Sequence, residues 1–193
     1  MGEIIGKIVL RFDGEIAIML KKITSVLSLL LTGCVGIPTG ITPVEPFDLD
    51  RYLGRWYEIA RLDHSFERGL SEVTADYSIR DDGLVRVVNR GYDQAAGRWK
   101  QAEGRARFVR EATQGFLKVS FFGPFYGSYI VFELDQENYN YAMISGPDTS
   151  YLWILARQPH LSDDIKQRLI AIARDKGFAV DNLIVVEHGA VDQ

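Results

Sequence analysis

The chain has 193 residues, with 22 Lys and Arg against 26 Asp and Glu for a net charge of −4, 47% apolar residues, one cysteine and three histidines. That length and apolar content suit one domain with a sizeable core, and a mildly acidic chain without a basic stripe argues against a nucleic-acid partner. A lone cysteine closes no internal disulfide and gives no thiolate cluster for a metal.

Taken in chain order, the first organised feature is "MLKKITSVLSLLLTGCVG", Met19 to Gly36. Lys21 and Lys22 precede a short apolar stretch, and the small residues Thr32 and Gly33 come just before Cys34. Positive patch, short apolar core and small-residue site are the order of an export signal. The apolar part is about ten residues, whereas a membrane-spanning helix needs roughly 20. Leu31-Thr32-Gly33-Cys34 resembles the lipobox of bacterial lipoproteins, which implies cleavage before Cys34 and lipidation of that residue. Val35 follows where an aspartate would resemble an inner-membrane retention signal, so the resemblance implies an anchor in the outer membrane, facing the periplasm. Residues 1–18 carry Glu3, Asp13 and Glu15 ahead of the apolar segment, unlike a signal's basic start. The expected organisation is therefore an extension without function over 1–18, a lipoprotein signal over 19–33, a tether over 34–46, a domain over 47–188 and a tail over 189–193. Without residues 1–33 the chain keeps 18 basic and 23 acidic residues, a net charge of −5.

Residues 35–46, "VGIPTGITPVEP", carry three prolines and two glycines and no periodicity, and read as an extended tether. From Arg55 onward, short alternating segments are separated by turn signals, as in an all-β sandwich or barrel. In "VTADYSIR", Val73, Ala75, Tyr77 and Ile79 share one face while Thr74, Asp76, Ser78 and Arg80 share the other. Asp82-Gly83 predicts a hairpin into Leu84–Tyr92, and Ala96-Gly97 another before Arg98–Val109. Further strands are expected around Leu117–Phe122, Gly127–Leu134, Tyr139–Ser145 and Tyr151–Arg157, with Trp56–Leu62 in front. That makes eight meandering strands, followed by a helix over Asp163–Lys176 and a short ninth strand within Leu183–Glu187. Ser162 is the expected N-cap, Asp163 and Asp164 suit the first turn, and Lys176-Gly177 is the stop. Ile165, Leu169, Ile172 and Ala173 recur at helical spacing and predict a face packed on the outside of the sheet. The mixed charges of its polar face do not match a membrane-surface helix, which selects Lys and Arg.

An eight-stranded barrel has an interior that side chains either fill or leave open for one small ligand. On "KQAEGRARFV" the residues alternating with the charges are Ala102, Gly104, Ala106 and Phe108. With Ala60 and Ala75 on the same expected face, the small residues imply an under-filled interior. The expected lining is Ala60, Ala75, Tyr77, Val87, Ala106, Phe108, Val119, Phe121, Tyr141 and Met143. Tight sheet packing against the helix is the competing account of the small residues.

"YLGRWYEIAR", Tyr52 to Arg61, and "SGPDTSYLWILAR", Ser145 to Arg157, are similar to the conserved stretches of the lipocalin family. "YEIARLDHSFERG" and "KVSFFGPFYG" resemble in particular the bacterial outer-membrane lipocalins related to apolipoprotein D. The resemblance covers Phe47 to His188. It implies an all-β fold: an eight-stranded up-and-down antiparallel barrel, closed at one end, with the helix packed outside, used to bind small apolar molecules. It implies structural roles for Gly54, Trp56, Tyr57 and Arg157. Trp56 suits a plug for the closed end, Gly54 lets the chain cross beneath it, and the guanidinium of Arg157 is expected over the indole, a contact worth roughly 0.5 to 2 kcal/mol.

Two other functions compete. An enzyme on the same barrel finds little support, because no His-Glu-x-x-His, Gly-x-Ser-x-Gly or phosphate loop occurs and the three histidines, His64, His160 and His188, are far apart in sequence. A filled-barrel envelope lipoprotein draws on "FFGPFYGSYIVF", six aromatics from Phe121 to Phe132. Alternation sends half of them outward, where a partner or homodimer interface would suit them. The reading carried forward is an outer-membrane lipocalin that binds, stores or transports a fatty acid or lysophospholipid, without enzymatic activity, metal or cofactor.

Overall fold

The period-2 pattern that begins at Gly54 folds as a continuous antiparallel meander in the computed structural model, which describes residues 35–189. The expected signal, Cys34 and residues 190–193 lie outside the described residues. The strands are β1 Gly54–Arg61, β2 Leu70–Ile79, β3 Val85–Asp93, β4 Arg98–Phe108, β5 Phe116–Ser120, β6 Gly127–Leu134, β7 Tyr141–Ser145 and β8 Leu152–Ala156. Each pairs with its chain neighbours, and β1 pairs with both β2 and β8, so the eight close into an up-and-down barrel. A ninth strand, β9 Ile184–Val185, bonds to Ala60 and Arg61 of β1 outside the ring. A four-residue helix that the pattern did not announce, α1 Leu49–Tyr52, precedes β1 and is capped by Asp48.

Helix α2, Asp163–Asp175, starts at Ser162, whose side chain accepts from the Ile165 amide, and stops at Gly177 with φ +85°. Glycine tolerates that conformation without a Cβ penalty. Leu169 and Ala173 of its buried stripe, with Phe178 and Val180 beyond it, pack on outward residues of the barrel that include Ile59, Ala60, Phe132, Met143, Ile154 and Ala156. Phe132 and Phe178 stack at 5.5 Å between ring centres. A second apolar cluster fills the inside of the barrel, with Tyr52, Trp56, Tyr77, Val85, Ala106, Val131 and Leu155 among its members. The helix therefore turns one side of the barrel into a wall that is apolar on both faces.

The expected tether, described from residue 35 to 46, and Phe47 after it are bonded to the barrel and to the end of α2. Ser128 Oγ donates to the Gly36 carbonyl at 2.6 Å, and Lys176 Nζ donates to that of Gly40 at 3.1 Å. Val44 is bonded between Val131 and Gly115, and the Phe47 amide donates to the Thr113 carbonyl at 2.8 Å. The prolines remove amide donors from this segment, but its carbonyls and its apolar Val35, Ile37 and Ile41 still find partners on the barrel.

Candidate functional site

The closed end is built on Trp56, fully buried, whose Nε1 donates to the Tyr52 carbonyl at 2.8 Å. The Arg157 guanidinium lies 4.0 Å from the centre of its ring and donates to the carbonyls of Arg51, Arg55 and Tyr139 at 2.6, 2.9 and 3.3 Å. Gly54 adopts φ +91°, and a Cβ there would stand 3.5 Å from Arg157 Nη1. Tyr57 points the other way and packs edge-on against His188 at 5.5 Å. These four residues form a floor and its support, so their geometry is that of a plug.

Above the floor the barrel keeps a cavity of about 70 Å³. Its apolar wall includes Val73, Ala75, Val87, Val119, Phe121 and Ile144, with Tyr77 and Tyr129 lower down. The hydroxyl of Tyr129 meets those of Tyr52 at 2.6 Å and Tyr77 at 2.8 Å, and burial pushes all three well above the ordinary phenol range. The chain of hydroxyls satisfies polar atoms that would otherwise be costly to bury.

One wall is charged. Glu58, next inward after Trp56 on β1, accepts from Arg61 Nη1 at 2.6 Å, and Arg61 Nη2 ties down the carbonyls of Glu67 and Leu70. Glu67 accepts from Trp153 Nε1 at 3.0 Å and lies beside Asn89 Nδ2 at 3.5 Å. His64 Nε2 stands 3.0 Å from Glu67 Oε2, in contact but off the line of a straight hydrogen bond. Burial and the neighbouring Glu67 push the Glu58 carboxyl well above the ordinary glutamate range, and the Arg61 guanidinium does not outweigh them. Burial also opposes the charge of Glu67, but His64, the Trp153 N–H and Arg61 together hold it below that range. The two carboxyls are thus shifted in opposite directions, with Arg61 bonded to the Glu58 carboxyl and to the Glu67 carbonyl.

Of the lining residues expected from the sequence, Ala75, Tyr77, Val87, Val119 and Phe121 border the cavity. Ala106 and Phe108 face inward but sit in the packed inner cluster rather than on the cavity wall. Ala60, Tyr141 and Met143 are placed differently: all three belong to the outer cluster under α2. At Ala60 the cause is a bulge, since Glu58 pairs with Leu155 and Ala60 with Ile154, which moves Ala60 to the outer face. Tyr141 and Met143 occupy the outward positions of β7, and the Tyr141 hydroxyl accepts from Arg168 Nη2 of α2 at 2.6 Å. Glu58, Phe66, Glu67, Asn89, Tyr129, Ile144 and Trp153 border the cavity without having been singled out. Alternation from Trp56 pointed to Glu58; nothing local pointed to Glu67, which arrives on a loop.

Comparison with known proteins agrees with this geometry. Residues 47–188 match the family model described as a lipocalin-like domain. The chain is 58% identical over 160 residues to the outer membrane lipoprotein Blc of Vibrio cholerae, covering 83% of this chain and 94% of that protein. It is 32% identical over 152 residues to bovine apolipoprotein D, covering 74% and 78%. Among solved structures, insecticyanin from the tobacco hornworm Manduca sexta superposes with a TM-score of 0.63 at 23% identity, over 80% of this chain and 88% of that one, a likeness of fold. With its closed eight-stranded barrel, plugged floor and external helix, this chain belongs to the lipocalin-like domain family.

Proposed function

We propose that the protein binds a single-chain lipid, a fatty acid or lysophospholipid, inside the barrel and stores or carries it at the outer membrane, to which a lipidated Cys34 anchors it on the periplasmic side. The observation that carries this reading is the cavity of about 70 Å³ with mainly apolar walls above a plugged floor. The sequence Leu31 to Cys34 and the name of the Vibrio relative support the anchor. Binding by apolar burial contributes about 0.8 kcal/mol per methylene, so affinity should rise about fourfold per added carbon until the cavity is full.

Two tryptophan substitutions test the reading. Ala75 borders the cavity and belongs to the inner cluster, so Ala75→Trp should abolish binding of a fluorescent fatty acid and cost about 1 to 3 kcal/mol of stability. Ala106 lies in the same cluster but off the cavity wall, so Ala106→Trp should carry a similar stability cost with a smaller loss of binding. Undiminished binding in Ala75→Trp would place the ligand elsewhere, and mass spectrometry of lipid extracted from the purified protein would identify what it carries.

A further inference from the structure

We propose that the open end of the barrel docks on an anionic phospholipid surface, with the β5–β6 loop among the lipids and Arg105, Arg107 and Lys118 on their headgroups. This goes beyond the ligand reading and shares with it only the anchor at Cys34.

Because the strands alternate in direction from the plugged floor, the loops β1–β2, β3–β4, β5–β6 and β7–β8 all lie at the opposite, open end. The exposed large aromatic side chains among the described residues are Phe66 (54%), Phe122 (79%) and Phe125 (65%), and all three stand on those loops. Exposed apolar residues also occur elsewhere, at Ile79, Ile184 and Val185, but the aromatic ones share the open end, and aromatic rings suit a lipid interface. The β5–β6 loop is held in shape. Phe121 turns into the cavity against Gly104, and the Phe125 amide donates to the Phe122 carbonyl at 3.1 Å. Phe122 and Phe125 thus project from a turn whose neighbouring residue Phe121 lines the cavity.

The charges beside the loop fit the same partner. Arg105, Arg107 and Lys118 surround the ring of Tyr126 at 6.0, 5.4 and 5.2 Å. None of the three is in an ion pair among the described residues, whereas Arg55, Arg68, Arg80, Arg86 and Lys100 each hold a carboxylate. On a chain of net charge −4, three uncompensated cations next to exposed aromatics attract an anionic surface.

The direction of the chain supplies the third observation. Ser128, which holds the Gly36 carbonyl, pairs in register with Lys118. Gly36 is two residues from Cys34, a reach of at most about 7 Å of extended chain. An anchor at Cys34 therefore brings the membrane to the cations and to the aromatic loop, not to the floor.

The test is site-directed spin labelling of the full-length protein, extracted from membranes with Cys34 blocked by its lipid and returned to phosphatidylethanolamine vesicles with or without phosphatidylglycerol. Labels are placed at Phe125→Cys on the loop and at Asp81→Cys on the exposed β2–β3 turn of the closed end. At position 125 the ratio of oxygen to water-soluble nickel accessibility should be severalfold higher than at 81. Omitting phosphatidylglycerol, or combining Arg105→Gln, Arg107→Gln and Lys118→Gln, should reduce that ratio. Equal water exposure at both positions would overturn the proposal, as would dipolar broadening between labels at 125 without lipid contact, which would mean that a second copy covers the loop. Insertion indifferent to anionic lipid and to the triple substitution would remove the cations from it. Fatty-acid binding measured on the same samples fails or succeeds independently, and so separates this proposal from the ligand reading.

Discussion

Glu58 and Glu67 offer the sharpest test of the site, because two chemically identical side chains should respond oppositely to the same substitution. Glu58 is shifted towards its protonated form, which Glu58→Gln resembles in shape: the amide oxygen accepts from Arg61 and the amide nitrogen donates to Glu67. The expected cost at pH 7 is below about 1 kcal/mol, the net worth of one ordinary hydrogen bond. Glu67 is shifted the other way, towards its ionised form, and Glu67→Gln places an amide donor against Trp153 Nε1 or His64. Losing one charge-assisted bond, about 1.5 to 3 kcal/mol, and leaving a buried donor unpaired, about 1 to 3 kcal/mol, gives an expected cost of roughly 2.5 to 6 kcal/mol. The pH dependence follows from the direction of each shift. A carboxyl whose native value is raised binds more protons in the folded state, so its stability contribution is complete below the ordinary value of 4.5 and is lost as pH rises towards the native value. The slope is at most about 1.4 kcal/mol per pH unit, and Glu58→Gln should remove it. Glu67, lowered, contributes stability above the ordinary value that is lost as pH falls through its native value. Urea unfolding followed by tryptophan fluorescence from about pH 2 to 9, run on wild type and both variants, measures all of this. Equal losses for the two variants at pH 7, or an unchanged pH slope in Glu58→Gln, would refute the assignment of opposite shifts to the two carboxyls.

Trp56→Ala should cost about 3 to 5 kcal/mol in unfolding experiments without ligand, as for other buried large aromatics. Arg157→Lys should cost less, because the ammonium keeps its charge over the indole but cannot reach the three carbonyls in one plane. Cys34→Ser should leave a barrel with unchanged ligand affinity that, once separated from its signal, no longer fractionates with membranes; a metabolic lipid label absent from the wild-type protein would contradict the anchor.

Much of the barrel was legible because alternation, turn signals and helix caps are local. Val73, Ala75 and Tyr77 face a dry interior while Asp76 and Arg80 meet water, so one strand read alone identifies most of its inner face, though Ile79 at the strand end is half exposed and Thr74, expected on the wet face, is buried beside the bulge. The same rule carries Ser162 and Gly177 to the two ends of α2. It fails at β7, "YAMIS", where α2 covers the outside and neither face is polar, so that Tyr141 and Met143 carry no mark of pointing outward. It fails again at Ala60, where a bulge breaks the count.

The sequence by itself determined the kind of molecule: an apolar interior of alternating strands, a tryptophan floor and the Leu-Thr-Gly-Cys segment ahead of the domain. Only the tertiary structure decided what stands inside and beside the mouth. Glu67 reaches Glu58 and Trp153 through the β1–β2 loop, the three tyrosine hydroxyls meet from α1, β2 and β6, and the segment after Cys34 returns to Ser128 at the open end. Those contacts join residues up to 92 positions apart in the chain. Local propensity and periodicity reach only over the few residues of one strand or helical turn, so such meetings exist only once the sheet has closed.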